Sequence, residues 1–375
     1  MKKLDSLQVL RGLAALFVVI FHYHYRLAWL EPDTLGYWHS IFGWSFMGVD
    51  IFFVISGFIM VYTTQAYDAG WKSSCKFLLN RATRIIPLYY FFLLVAFFSM
   101  GAMSTFHYES KTENLISALT FTVYDANAAP HYIDDSGMYN VRWTLNYELY
   151  FYIAFSLCLL LRERMAALIS WAACVVFLIP FVFGQAPTLS PSGYDVNHAA
   201  FGLMSNPIIL DFVIGALSGW LFLVIKKNYN PNWIEKISLL ISIILIPTIA
   251  YGVFTRHLPI LSPKLGGTIG VLILALALSN EIIKKHIPKA FIYLGDISFS
   301  LYLSHNTINY IIFKRLGKYA ISMPMILLLS IISFLISIAI SHITHKLIEV
   351  RFTMWIKLKL GRIDNLQKRS EGIAR

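Results

Sequence analysis

Several ionisable side chains stand in apolar surroundings where a lipid bilayer would penalise them: Arg11, His22, Asp50, Glu148 and His305, with the pair Arg81 and Arg84. Each charged group near mid-membrane costs at least ~2.5–3.5 kcal/mol, so each needs a partner or a task. Arg11 and His22 are separated by about three helical turns. They project from nearly one face, about 16 Å apart along the axis. The structural reading has Arg11 snorkelling to the headgroups and His22 bonded in the interior. The functional reading puts a cation and a tunable base on one face. Asp50, in the run Gly48–Phe58, and Glu148, in the run Arg142–Tyr150, are expected at a depth like that of His22. The three should then form one cluster in which a carboxylate holds the imidazole and raises its basicity. Arg81 and Arg84 share a helix face and could clamp phosphates, although anchoring at a membrane surface suits them equally. Trp143, Asp50 and His305 are candidate substrate-binding residues, whereas His342, His345 and Glu349 read as interfacial.

The elements that must position these groups follow from composition. Of 375 residues, 57% are hydrophobic and only 14% charged, against roughly 25% charged in an average soluble domain. That excludes a soluble fold, disorder and a coiled coil, and predicts an all-α polytopic integral membrane protein. Runs of the length a bilayer needs, about 20 residues, lie at roughly 7–27, 40–64, 84–103, 144–161, 165–184, 207–225, 234–251, 265–282, 296–313 and 323–345. Met1-Lys2-Lys3 imitates a signal peptide, but Arg11 interrupts the stretch and no cleavage motif follows, so a retained first span is expected. With the N-terminus inside, lysines and arginines favour the cytoplasmic segments roughly three-fold, which places both termini in the cytoplasm. On that topology residues 1–350 form the membrane domain and 351–375 a basic cytoplasmic tail. The net charge of +11 then reflects loops that face anionic headgroups rather than nucleic acid. Residues 104–143 and 185–206 are longer, more polar connections expected to build one surface. Cys75, Cys158 and Cys174 have no disulfide or zinc spacing, and no metal is expected.

Taken in order, Leu10–Ala15 with His22, Gly48–Phe58, Arg81–Pro87, Trp143–Tyr152 and Ser300–His305 resemble the blocks of the acyltransferase 3 family of integral-membrane acyltransferases. The segment Leu4–Gly12 is most similar to the ExoZ-like branch that O-acetylates exopolysaccharide. The resemblance spans about residues 4 to 350. It implies transfer of an acyl group, usually acetyl, from cytosolic acyl-CoA to a hydroxyl of a cell-envelope glycan or its lipid-linked precursor, in the bacterial inner membrane. Within it, Arg11 and His22 match the essential arginine and histidine of the first span, and His22 would act as general base on the acceptor hydroxyl or as a transient acyl carrier. Arg81 and Arg84 match the arginines associated with the donor, acetyl-CoA. Some relatives add an extracytoplasmic hydrolase-like domain. None is evident here, so transfer is expected to finish in the membrane unit or with a partner.

Two other classes share this topology, a secondary transporter and a polysaccharide-export assembly factor. A transporter places its ionisable groups at a central site and often carries inverted repeats. The arginine pair here is expected at the cytoplasmic mouth of the third span, and no repeat is evident. An assembly factor leaves the shared face of Arg11 and His22 unexplained. The acyltransferase expectation has a direct consequence: His22→Ala abolishes acyl transfer without unfolding the protein. Acetylation retained by that variant would remove His22 from the chemistry.

Overall fold

In hydrocarbon every backbone amide must be bonded within its own segment or a closed barrel, so long apolar runs become helices. A computed structural model describes residues 3–99, 102–123, 139–195, 198–228 and 231–359, and these hold helices and connections with no strand. The principal helices are α1 (Asp5–His24), α2 (Gly48–Thr63), α3 (Trp71–Ser99), α4 (Arg142–Cys158) and α5 (Arg164–Ala173). They continue with α6 (Ile209–Asn228), α7 (Pro231–Phe254), α8 (Pro263–Leu278), α9 (Ser298–Leu316) and α10 (Met323–Thr344). Among the described residues, seven helical stretches are long and apolar enough to cross a membrane. The chain is an all-α polytopic membrane protein. The ten expected spans correspond to α1–α10, but α4, α8 and α9 fall outside those seven. α4 and α8 have only 17 and 16 residues. α9 spends much of its length on Ser298, Ser300, Ser304, His305 and Asn309, all buried.

Two boundaries differ from expectation. The third span begins at Trp71 rather than near 84, so Arg81 and Arg84 sit within α3 instead of at its mouth. The last helix passes 350 without a break, through a π-helical stretch at His345–Phe352, and continues to Lys359. Residues 360–375 of the expected tail, and 124–138 of the long connection, lie outside the described residues. The three cysteines are free.

α2 is buried along most of its length and packs on α6 through glycines. A Cβ on Gly215 would stand 1.9 Å from the Val54 carbonyl oxygen, and one on Gly57 would stand 2.0 Å from that of Phe212. Such backbone approach is what small residues permit when helices associate without a hydrophobic driving force. A second close approach joins α1 to the short helix Lys289–Asp296 that leads into α9. A Cβ on Gly295 would lie 2.0 Å from Gln8 O, and Asp296 takes bonds from Lys3 Nζ (2.6 Å) and Gln8 Nε2 (2.8 Å). At the start of α1, Asn280 Oδ1 accepts the free Ser6 amide at 3.0 Å. These contacts hold α1 and α9 parallel and in fixed register.

Gly215→Ala should therefore cost roughly 1–3 kcal/mol by overpacking α2 against α6. Gly267→Ala, whose Cβ meets nothing within 4 Å, should not. Thermal unfolding in detergent compares the two, and equal midpoints would refute the close packing.

Candidate active site

Helices α1, α2, α3, α4 and α9 line a cavity of about 110 Å³ whose lining changes character along its length. At one end stand Arg81 and Arg84 from α3, Arg11 from α1, and Ser56, Glu148 and Tyr152 from α2 and α4, with Ile55 and Ile59 of α2 beside them. At the other stand Val49, Phe52, Ile85, Leu145, Phe299 and Tyr302, with the Thr144 hydroxyl among them. On α2 the lining runs from Val49 through Phe52, Phe53, Ile55 and Ser56 to Ile59, which makes it about 15 Å long at helical rise.

Polar bonds fix the cationic end. Tyr152 OH donates to Glu148 Oε1, and Ser56 Oγ donates to the same oxygen at 3.1 Å. The Arg81 guanidinium donates to Thr63 Oγ1 at 3.3 Å and lies 5.4 Å from the ring centroids of both Phe77 and Tyr152. Those stacks supply part of the interaction that water would give an arginine. Arg11 feels the charges of Arg84, Glu349 and Glu148. Among the described residues, no ion pair within 4 Å joins Arg11, Arg81 or Arg84 to a carboxylate. Three guanidiniums thus share one chamber with a single lining carboxylate, an arrangement suited to an anion.

Beyond the apolar end is a histidine pair. His22 and His305 lie ten residues past Gly12 and Gly295, where α1 and the approach to α9 touch. His305 Nδ1 bonds Leu301 O at 3.1 Å, and His22 Nδ1 bonds Val18 O at 2.9 Å. A carbonyl oxygen only accepts, so both protons reside on Nδ1. His22 Nδ1–H is also 3.1 Å from His305 Nε2, which accepts from it. His22 Nε2 is left with its lone pair and no partner among the described residues, the state of a base. The Tyr302 ring stands 6.0 Å from that of His305, and Phe52 meets Tyr302 edge-on at 5.6 Å. These two rings close the cavity on the histidine side.

The expected cluster of His22, Asp50 and Glu148 is not brought together. Glu148 belongs to the arginine chamber. The Asp50 carboxyl faces Asp211 of α6, with Oδ1 accepting the Leu261 amide at 2.8 Å. Asp50 points toward α6 because successive α2 residues face different neighbours, and the glycine packing fixes which. Histidine, not a carboxylate, orients His22. Trp143 is packed among Phe46, Phe53 and Tyr147 at 4% exposure, so its ring offers no free face. His305 is wholly buried beside His22 rather than open to an acceptor.

Glu349 was expected at the interface, yet it accepts from Ser300 Oγ and pairs with His345 at 3.2 Å, beside Arg84. The signal for it was the i, i+4 spacing of His345 and Glu349, and Glu148 and Tyr152 repeat that spacing in α4.

The profile of the acyltransferase domain family matches residues 4–342. The chain belongs to this acyltransferase family. Over 182 residues it is 30% identical to the exopolysaccharide production protein ExoZ of Rhizobium meliloti (strain 1021), covering 46% of this chain and 50% of that protein. The match thus spans half the length of that relative. No solved structure matches significantly. Among the described residues, no group of three or more His, Cys, Asp or Glu could hold a metal.

One further contact supports the arginines of this acyltransferase. Pro87 lies inside α3 and has no N–H for the Thr83 carbonyl. Thr353 Oγ1, from the far end of the chain, donates to Thr83 O at 3.1 Å. The hydroxyl satisfies the orphaned carbonyl one residue from Arg84 and ties α3 to the π-helical stretch that carries Glu349. Thr353→Val should destabilise the protein by about 1–3 kcal/mol, while Thr353→Ser restores it. A valine variant that melts with the wild type would show the contact to be dispensable.

Proposed function

We propose that this protein is an inner-membrane O-acyltransferase that moves an acetyl group from cytosolic acetyl-CoA to a hydroxyl of an exopolysaccharide or its lipid-linked precursor. The observation that carries the reading is the polarity gradient of the cavity, cationic at one end and apolar at the other, with an unprotonated histidine nitrogen beyond the apolar end. An acyl-CoA has the same gradient, phosphates at one end and a thioester acyl group at the other. Membership in the acyltransferase family favours this over a transporter or export factor, and the ExoZ relative supports a polysaccharide acceptor.

In this reading Arg81 and Arg84 hold the donor's phosphate end, with Arg11 deeper beside Glu148. Both termini and the arginine end face the cytoplasm. The acyl group lodges against Phe52 and Tyr302, and the thioester behind it lies within reach of His22 past the edge of the two rings. His22 Nε2 takes the proton of the acceptor hydroxyl while the new oxygen–carbonyl bond forms and the carbon–sulfur bond breaks. His22 then returns that proton to the thiolate, which leaves as CoA thiol. His305 keeps the His22 ring oriented and its proton on Nδ1.

Purified protein given acetyl-CoA should release free thiol only when a glycan acceptor is present. By calorimetry, Arg81→Ala and Arg84→Ala should each weaken CoA binding about ten- to a hundred-fold, the loss of roughly 1.5–3 kcal/mol of charge-assisted bonding. His22→Gln should bind CoA as the wild type does and release no thiol. CoA affinity unchanged in both arginine variants would refute the assignment of the cationic end.

A further inference from the structure

The closed apolar end bears on which acyl groups the enzyme accepts. No lining residue lies beyond Val49 on α2 or beyond Tyr302 on α9. Tyr302 is anchored, because its hydroxyl bonds Thr144 Oγ1 at 2.6 Å and its ring is backed by buried His305. Phe52 packs edge-on against it and reaches three of the protein's hydrophobic clusters, so neither ring gives way cheaply. The whole chamber encloses only about 110 Å³, and interiors packed this densely resist added methylene groups. A long acyl chain has no place to extend.

We propose that Phe52 and Tyr302 act as a ruler that restricts the donor to a short acyl group, acetyl in preference to butyryl or hexanoyl. The inference rests on the acyl-CoA reading given above and deepens it by naming the residues that select the chain. Phe52 is the adjustable member, since Tyr302 also backs His305. Removing its ring lengthens the apolar end by the depth of a phenyl group.

The test measures thiol release from acetyl-, butyryl- and hexanoyl-CoA with a glycan acceptor, using full-length protein in detergent. Wild type should use acetyl-CoA best, with hexanoyl-CoA slower by at least about ten-fold, the discrimination a tight apolar pocket gives over a few methylenes. Phe52→Ala should shift the hexanoyl-to-acetyl rate ratio upward by about ten-fold or more. Phe52→Leu, a gentler change should the alanine variant fail to fold, should shift the butyryl-to-acetyl ratio in the same direction. A wild type that turns over hexanoyl-CoA as fast as acetyl-CoA, or variants whose ratios match the wild type, would overturn the ruler and leave the acyltransferase reading intact. A folded wild type that consumes none of the three donors would overturn both.

Discussion

Three guanidiniums in one membrane-embedded chamber are the constraint around which the rest of the protein is arranged. Arg11, Arg81 and Arg84 repel one another, and burial removes Arg11 and Arg81 from bulk water at substantial cost. Compensation comes in small parts: two aromatic faces and a threonine hydroxyl for Arg81, and the charges of Glu148 and Glu349. Positive charge remains in excess in the lining. That excess is a standing attraction for an anionic ligand, whose binding removes a repulsion the fold otherwise sustains. Like-charged neighbours held apart by a rigid scaffold are costly to the fold and useful to a binding site.

The scaffold connects this chamber to the histidine pair through helix geometry. The α1 helix carries both Arg11 and His22, so the distance between the two ends of the site is set by helical rise alone. The close approach at Gly295 brings α9 alongside, and the parallel register delivers His305 to His22. On the cationic side, α3 runs through Pro87 because a distant threonine occupies the carbonyl that proline leaves free. That bond and the π-helical turn place Glu349 near Arg84. Local π-helical geometry often marks functional sites, and here it lets one segment supply Glu349 toward α9 and Thr353 toward α3.

Much of this was legible in the sequence. Apolar run length and charge placement disclosed the helical membrane class, and the arginines and His22 stood out because bilayers penalise them. Arg11, Arg81 and Arg84 do line one cavity, where they are joined by Glu148, which was expected beside His22. What spacing could not disclose was which face of each helix meets which neighbour. Glu148 was expected at the depth of His22 but stands with Arg11 and Arg81 at the cationic end, and packing of α2 on α6 turns Asp50 to Asp211. Glu148 finds hydroxyls of Ser56 and Tyr152 rather than an imidazole. The start of α3 was misplaced because arginines and a proline together imitate a helix boundary. Glu349 was passed over because its partner Ser300 is on α9 and distant in sequence.

In the proposed function the donor enters at the arginine end and the acceptor meets His22 beyond the other, so the two reach one site from opposite sides of the membrane. Proteoliposomes of uniform orientation test it most directly, with labelled acetyl-CoA confined to the face proposed as cytoplasmic and a glycan acceptor confined to the other. The account predicts label on the glycan in that arrangement and none when the two compartments are exchanged. Acetylation only when donor and acceptor share a compartment would contradict it.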